Sequence, residues 1–364
     1  MRNLILYMSF LFLLISLLSC SHEDDFPEDY LVVYEHTIND TISNKDSTQK
    51  YDTLIVVTDT ISHKDSVNNS DSLKTVADTI NIDTCSQSPT AIKKDTLVVS
   101  YEKYMDITTS FGNEQGGACY DKYFFQGYAN NAALGVFDLE KKCFICKIDI
   151  PEPTASANIH VNTINFGSQH MHEDDFFPLL YICSGYPKYI NGIPCSYIYV
   201  YRIIKDNTNN WGAKLVQTIT LKDFGVWTEG IIDNDHNYLW VKYSENGYKF
   251  ASFPIPGIES GDITLQKENA LTKISVKVPP FTSSNQGHLY YDNKILMVSG
   301  ISPNTQKLAY IVINLSTQTI ELIIDLAEIG LTSEPENVFF YKDQLMIGYR
   351  RAIYKFNVRP LNYN

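Results

Sequence analysis

The sequence predicts an all-β protein, a β-propeller of five to six four-stranded blades, seven at the most, preceded by a disordered stalk. Three observations lead there. Past residue 97 the chain is rich in Tyr, Phe, Ile and Val, with turn residues about every eight to twelve positions and no sustained helical period. Within that stretch a loose pattern returns, and ahead of it runs a segment with very few apolar residues.

The pattern is a polar residue beside Gly or Asn, an apolar strand, a turn holding Asp or Asn, a second strand, and a third ending near Asp or Asn. It begins at Gln115-Gly116, His160-Val161-Asn162, Glu229-Gly230, Gln286-Gly287 and Glu336-Asn337. Gln286 to Val298 and Glu336 to Ile347 read almost in step, and Ala309 to Leu315 with Thr319 to Leu326 supply third and fourth strands around Ser316-Thr317. Other strand-like runs are Tyr123 to Phe125, Gly135 to Leu139, Phe144 to Ile150, Leu180 to Cys183, Tyr197 to Ile203, Leu215 to Leu221, Tyr238 to Tyr243, Tyr248 to Phe253 and Gln344 to Tyr349. Repeats of about 40 to 70 residues, each four antiparallel strands, mark a propeller. The long interval from His160 to Glu229 leaves room for a sixth blade. The last copy stops after its third strand, Ala352 to Val358, so Thr96 to Tyr101 is expected to complete it and close the ring by pairing the two ends. A β-sandwich is the rival architecture and would show fewer, less similar repeats.

At the amino terminus Arg2 precedes the apolar run Leu4 to Leu18, a length suited to a signal peptide rather than a membrane span. The run ends in Leu17-Leu18-Ser19-Cys20, which resembles the bacterial lipoprotein box. That resemblance implies cleavage after residue 19 and a diacylglycerol on Cys20, which would hold the protein on a membrane through its acyl chains. Ser21-His22-Glu23-Asp24-Asp25 resembles the acidic surface-export signal of Bacteroidetes lipoproteins. Residues 1–19 are thus read as signal peptide, 20–35 as lipidated export segment, 36–95 as linker and 96–359 as the propeller head. The implied location is the outer membrane, facing outward.

The linker is mostly Asp, Ser, Thr, Asn and Lys and cannot bury enough surface to offset its ordering entropy. Asp-Ser or Asp-Thr occurs nine times between Asp40 and Thr96 and nowhere else. Followed by an aliphatic residue or Thr, the pair resembles the acceptor tripeptide of Bacteroidetes O-glycosylation. The resemblance implies sugar on Thr41, Ser47, Thr53, Thr60, Ser66, Ser72 and Thr79. Thr84 departs from it because Cys85 follows, and Thr96 stands where the closing strand begins. The competing structure is a small β-solenoid, with Tyr51 to Ile61 as its most strand-like piece. One apolar residue per repeat and no Gly make a thin ladder for such a coil.

A net charge of −13 and a pI near 5 argue against nucleic acid, which requires basic patches. Cys85, Cys119, Cys143, Cys146, Cys183 and Cys195 are open to disulfides in an exported protein. In a strand, Cys143 and Cys146 point to opposite faces, which opposes a zinc knuckle. His170-Met171-His172-Glu173-Asp174-Asp175 has metal-binding residue types, yet its polar setting reads as an exposed loop. No cofactor fingerprint occurs, and none is expected.

In a propeller the first strand of each blade lines the axis. Gln115, His160, Asn162, Glu229, Gln286, His288 and Glu336 are therefore expected to gather at one end as a polar funnel for a hydroxyl-rich ligand, with Trp227, Tyr290 and Tyr349 as stacking faces. The same residues could instead bond the backbones of neighbouring blades. The head resembles the propeller proteins of exported bacterial lipoproteins, which implies a binding or scaffolding module for glycans or for outer-membrane partner proteins. The alternative is a glycoside hydrolase using Glu229 and Glu336, with Glu334 as a third carboxylate.

Overall fold

Tight turns cut the chain into short antiparallel strands. Tyr291 pairs with Lys294 across Asp292-Asn293, and Tyr341 with Gln344 across Lys342-Asp343; all four turn residues have positive φ. Such two-residue loops match the twist of the strands they join, and Asp and Asn tolerate the left-handed conformation. The computed structural model describes residues 32–36, 53–56 and 97–360, apart from 109–110, 130–131, 152–159, 191, 207, 209, 226, 246, 278–284 and 302–306.

Three strands precede the first blade: β1 (Val32–His36), β2 (Thr53–Val56) and β3 (Leu97–Asp106). Blade 1 is β4 (Asn113–Tyr120), β5 (Tyr123–Ala129), β6 (Ala133–Asp138) and β7 (Cys143–Asp149). Blade 2 is β8 (Val161–Phe166), β9 (Leu180–Ile190), β10 (Ile193–Lys205) and β11 (Trp211–Lys222). Blade 3 takes β12 (Glu229–Asp233), β13 (Tyr238–Ser244) and β14 (Tyr248–Pro254), then detours through β15 (Ile263–Gln266) before its fourth strand, β16 (Thr272–Val276). Blade 4 is β17 (Asn285–Tyr291), β18 (Lys294–Ser299), β19 (Ala309–Asn314) and β20 (Thr319–Asp325). Blade 5 is β21 (Pro335–Tyr341), β22 (Gln344–Tyr349) and β23 (Ala352–Pro360), with β3 as its fourth strand.

The blades form a closed five-membered ring. Their first strands neighbour one another in the order β4, β8, β12, β17, β21 and back to β4. A separate apolar core fills each of the five gaps between sheets. The gap between blades 5 and 1 closes on Phe124 stacked against Phe339 at 4.7 Å between ring centroids. The expected closure occurs: β23 pairs antiparallel with β3, Phe356 opposite Tyr101 and Val358 opposite Val99.

One expectation changes. The room for a sixth blade between His160 and Glu229 is taken up by blade 2 itself, whose β9, β10 and β11 run 11, 13 and 12 residues. Its outer edge is then covered by β15, reaching across from blade 3 to pair parallel with β11. Beyond β3, β1 pairs parallel with β3 and β2 antiparallel with β1, widening the blade 5 sheet to six strands. Thr53, an expected sugar site, opens β2. Cys20, Thr41, Ser47, Thr60, Ser66, Ser72 and Thr79 lie outside the described residues.

Candidate functional site

The polar residues that open each repeat sit on irregular stretches of the inner strands. The pairing register shifts between Glu114 and Gly117 on β4, Val161 and Ile164 on β8, Asn285 and His288 on β17, and Pro335 and Asn337 on β21. An extra residue at a bulge bends the strand and re-aims its side chains. It thereby turns Gln115, Asn162, Thr163, Gln286 and Glu336 out of the simple in-out alternation. Among the inner strands β12 alone keeps a regular register, starting at Glu229.

Hydrogen bonds then join the blades around the axis in two groups. In the first, the Glu229 carboxyl accepts from Asn162 Nδ2 and, at 2.6 Å, from Thr163 Oγ1. Thr163 Oγ1 is also 3.3 Å from His288 Nδ1. The single threonine proton goes to Glu229, so the imidazole must donate from Nδ1, leaving Nε2 as an acceptor. That Nε2 is buried and has no hydrogen-bond partner. Directly opposite Glu229 on the neighbouring strand stands Lys242, equally buried, its Nζ 5.3 Å from the Tyr248 ring centroid. Burial pushes the Glu229 carboxyl up to about 7, against the pull of Lys242 and Thr163. Burial also lowers Lys242 to about 8, against Glu229. His288 is held well below its ordinary value, first by burial and then by the Lys242 charge, so its ring is neutral.

In the second group, Arg350, at the start of the β22–β23 turn, reaches two carboxyls. Its Nε donates to Glu336 Oε1 at 3.2 Å, and its outer nitrogen pairs with Glu334. Gln286 Nε2 donates to the other Glu334 oxygen at 2.7 Å. Burial raises Glu336 well above the carboxylate range, with Glu334 adding and Arg350 opposing. Burial likewise raises Glu334, with Arg350 and Gln286 opposing. Asn337 Nδ2 reaches Gln115 O at 3.4 Å and ties blade 5 to blade 1.

Asn162, Glu229 and His288 are thus joined in one group and Gln286 and Glu336 in the other, as a packed network. Gln115, Asn162, Glu229, Gln286, His288 and Glu336 are all buried, and of the seven only His160 keeps partial exposure. His160 lies edge-on to Trp227 at 6.3 Å, and burial lowers its pKa. Two of the three expected stacking faces are elsewhere. Tyr290 is buried with its hydroxyl on His236 Nδ1 and the Asn293 amide, at the far end of its strand. Tyr349 is buried between blades 4 and 5. Trp227 is 49% exposed and adopts φ +57, a conformation that bulky residues rarely hold.

Sequence reasoning missed Thr163, Lys242, Asn337 and Arg350. Lys242 is placed only by the hairpin register, since counting outward from the Asp233–Tyr238 pair sets it opposite Glu229. The histidine loop is exposed: His170 Nδ1 meets Asp175 O at 3.0 Å, and the Asp175 carboxylate takes Arg202. Among the described residues no group of three or more His, Cys, Asp or Glu is placed to hold a metal ion. Among them Cys119, Cys143, Cys146 and Cys183 are free thiols; burial pushes Cys119 up to about 12 and Cys146 up to about 11.

No protein-family model matches the chain, and neither does any curated protein. Among solved structures it is similar to the PQQ-bound aldose sugar dehydrogenase of Streptomyces coelicolor, at 10% identity and TM-score 0.43 over 72% of this chain and 98% of that one. It is similar to the glutaminyl cyclase of Myxococcus xanthus at 11% identity and TM-score 0.43, over 72% and 97% of the two chains. The allergen Mala s 1 of Malassezia sympodialis matches at 10% identity and TM-score 0.43, over 71% and 97%.

Proposed function

We propose that the protein is an exported surface lipoprotein whose five-bladed head is a binding module, for a glycan or for a partner protein of an outer-membrane complex. The ligand engages the axial end where the inner strands begin. The observation that carries this reading is the contrast between what is buried and what is presented there. The axial polar groups are bonded into a rigid network across the blades, while Arg350 is 46% exposed, Trp227 49% and Tyr189, on the overhang of β9, 66%. Exposed aromatics with a fixed polar floor suit binding. A strained Trp227 at the rim fits the tendency of functional sites to hold unfavourable backbone conformations, at about 1 kcal/mol or more.

Hydrolysis would require two carboxyl groups flanking an accessible glycosidic bond. Glu229 and Glu336 are 1% and 0% exposed, and each already takes a hydrogen bond from a neighbouring blade or turn. Glycan-array binding alongside turnover assays tests the choice. Binding without turnover is expected, and catalysis abolished by Glu229→Gln or Glu336→Gln would overturn it.

Leu17-Leu18-Ser19-Cys20 and the acidic Ser21 to Asp25 support lipid anchoring and surface export, and the Asp-Ser/Thr ladder supports a glycosylated stalk. Intact mass of protein purified from its own host should exceed the lipidated chain beginning at Cys20 by several sugar masses. A mass equal to that bare lipidated chain would remove the glycosylation.

A further inference from the structure

We propose that the axial mouth between blades 5 and 1 takes a primary ammonium group, held by the carboxyls of Glu114 and Glu336 beside Arg350. The inference rests on reading this end as the ligand site and names the chemical group it recognises.

The two carboxyls stand on adjoining inner strands, β4 and β21, which the Asn337–Gln115 contact holds together. Three carboxyls, Glu114, Glu334 and Glu336, share this end with one guanidinium. The Glu334 oxygens are both occupied, by Gln286 and Arg350, and Glu336 Oε1 takes the Arg350 Nε. Glu336 Oε2, Glu114 Oε1 and, next along β21, Asn337 Oδ1 are buried and accept no hydrogen bond. Their residues are 0%, 4% and 0% exposed.

The unpartnered atoms of these three side chains are acceptors, and the carboxyls outnumber the one guanidinium. Unsatisfied buried acceptors are costly, and the group that answers them must bring donors. A primary ammonium offers three donors and no acceptor, whereas a hydroxyl brings one donor together with lone pairs of its own. The described acidic residues are not disposed to chelate a metal ion, which favours an organic cation reaching separate oxygens. Arg350, the half-exposed member, marks the way in beside its own guanidinium.

Burial and then the Glu334 charge penalise an ionised Glu336, Arg350 opposes them, and Glu114 adds to the penalty, so an arriving ammonium would bring the counter-charge that this end is short of.

Calorimetry on the intact protein in detergent tests this at pH 7 with glucosamine against glucose and Nα-acetyl-lysine methylamide against its norleucine counterpart. At least one amine is expected to bind tenfold or more tighter than its neutral partner. Glu336→Gln and Glu114→Gln should each weaken it about tenfold. A preference for glucosamine points to an amino sugar as source, and one for the lysine derivative to a protein side chain. Equal binding of amine and neutral partner overturns the ammonium inference while leaving the binding module standing. No amine binding up to 50 mM overturns it as well, and the glycan array then judges the module separately. The amine-to-neutral ratio in the unaltered protein decides the matter even if a variant fails to fold.

Discussion

Lys242→Met is expected to cost about 3 kcal/mol of stability near pH 8, because it leaves the Glu229 carboxylate buried without its opposing charge. Glu229 and Lys242 face each other across β12 and β13 and are both 1% exposed. Combining Lys242→Met with Glu229→Gln should cost much less than the two single changes added together, since no ionised group is then left alone in the core. Urea denaturation of the four proteins gives the coupling directly.

The pH dependence has a definite sign. The folded Glu229 pKa, about 7, lies above its ordinary 4.5, so the folded state holds its proton more tightly. The stability from that proton is complete below pH 4.5 and is lost as pH rises through about 7. Lys242 is lowered from 10.5 to about 8, so its burial cost is present below pH 8 and is relieved as pH climbs toward 10.5. At pH 5 the protein holds a neutral Glu229 and a charged Lys242, and removing the lysine charge should then cost little or even stabilise. A Lys242→Met penalty as large at pH 5 as at pH 8 would mean the two groups are not an electrostatic pair.

This pair shows where sequence reasoning reached and where it stopped. Glu229 was legible because it opens a repeat. Lys242 was not, because it sits mid-strand among Trp240, Val241 and Tyr243 and declares itself only once the hairpin register is known. Arg350 was missed for a similar reason, since it follows β22 in a turn that returns to the axis only in three dimensions. The closing strand was legible because the last repeat lacked a fourth strand and Thr96 to Tyr101 offered one, which the structure forms as β3. The false room for a sixth blade came from counting residues rather than layers: longer strands and the β15 detour absorb chain without adding a sheet. Burial of the funnel residues was invisible to a pattern of polar types, because exposure depends on how closely five inner strands approach, which composition does not record.

That close approach explains the glycines and gives the second large effect. Gly116→Ala should be among the most destabilising single changes in the head, costing about 3 kcal/mol or more. A Cβ there would overlap the Asn162 carbonyl oxygen on β8 and stand 2.7 Å from its carbon. Gly287 meets the same limit on the other side of the ring, where a Cβ would lie 2.5 Å from Asn337 Cα and 2.8 Å from Glu336 O. Both obstacles are backbone atoms, so no rotamer change relieves them, and the inner strands would have to separate. Separation would pull apart Asn162 and Glu229 in one case and disturb Glu336 and Arg350 in the other, coupling stability to the polar network. Gly212→Ala on β11 is the internal control, because nothing lies within 4 Å of a Cβ there and the change should be close to neutral. Thermal melting of the three variants separates the explanations: loss at Gly116 and Gly287 with Gly212 unaffected is expected. Equal tolerance at all three sites would mean the axis is not packed to the point of excluding a methyl group, and the glycine beside each opening polar residue would need another cause.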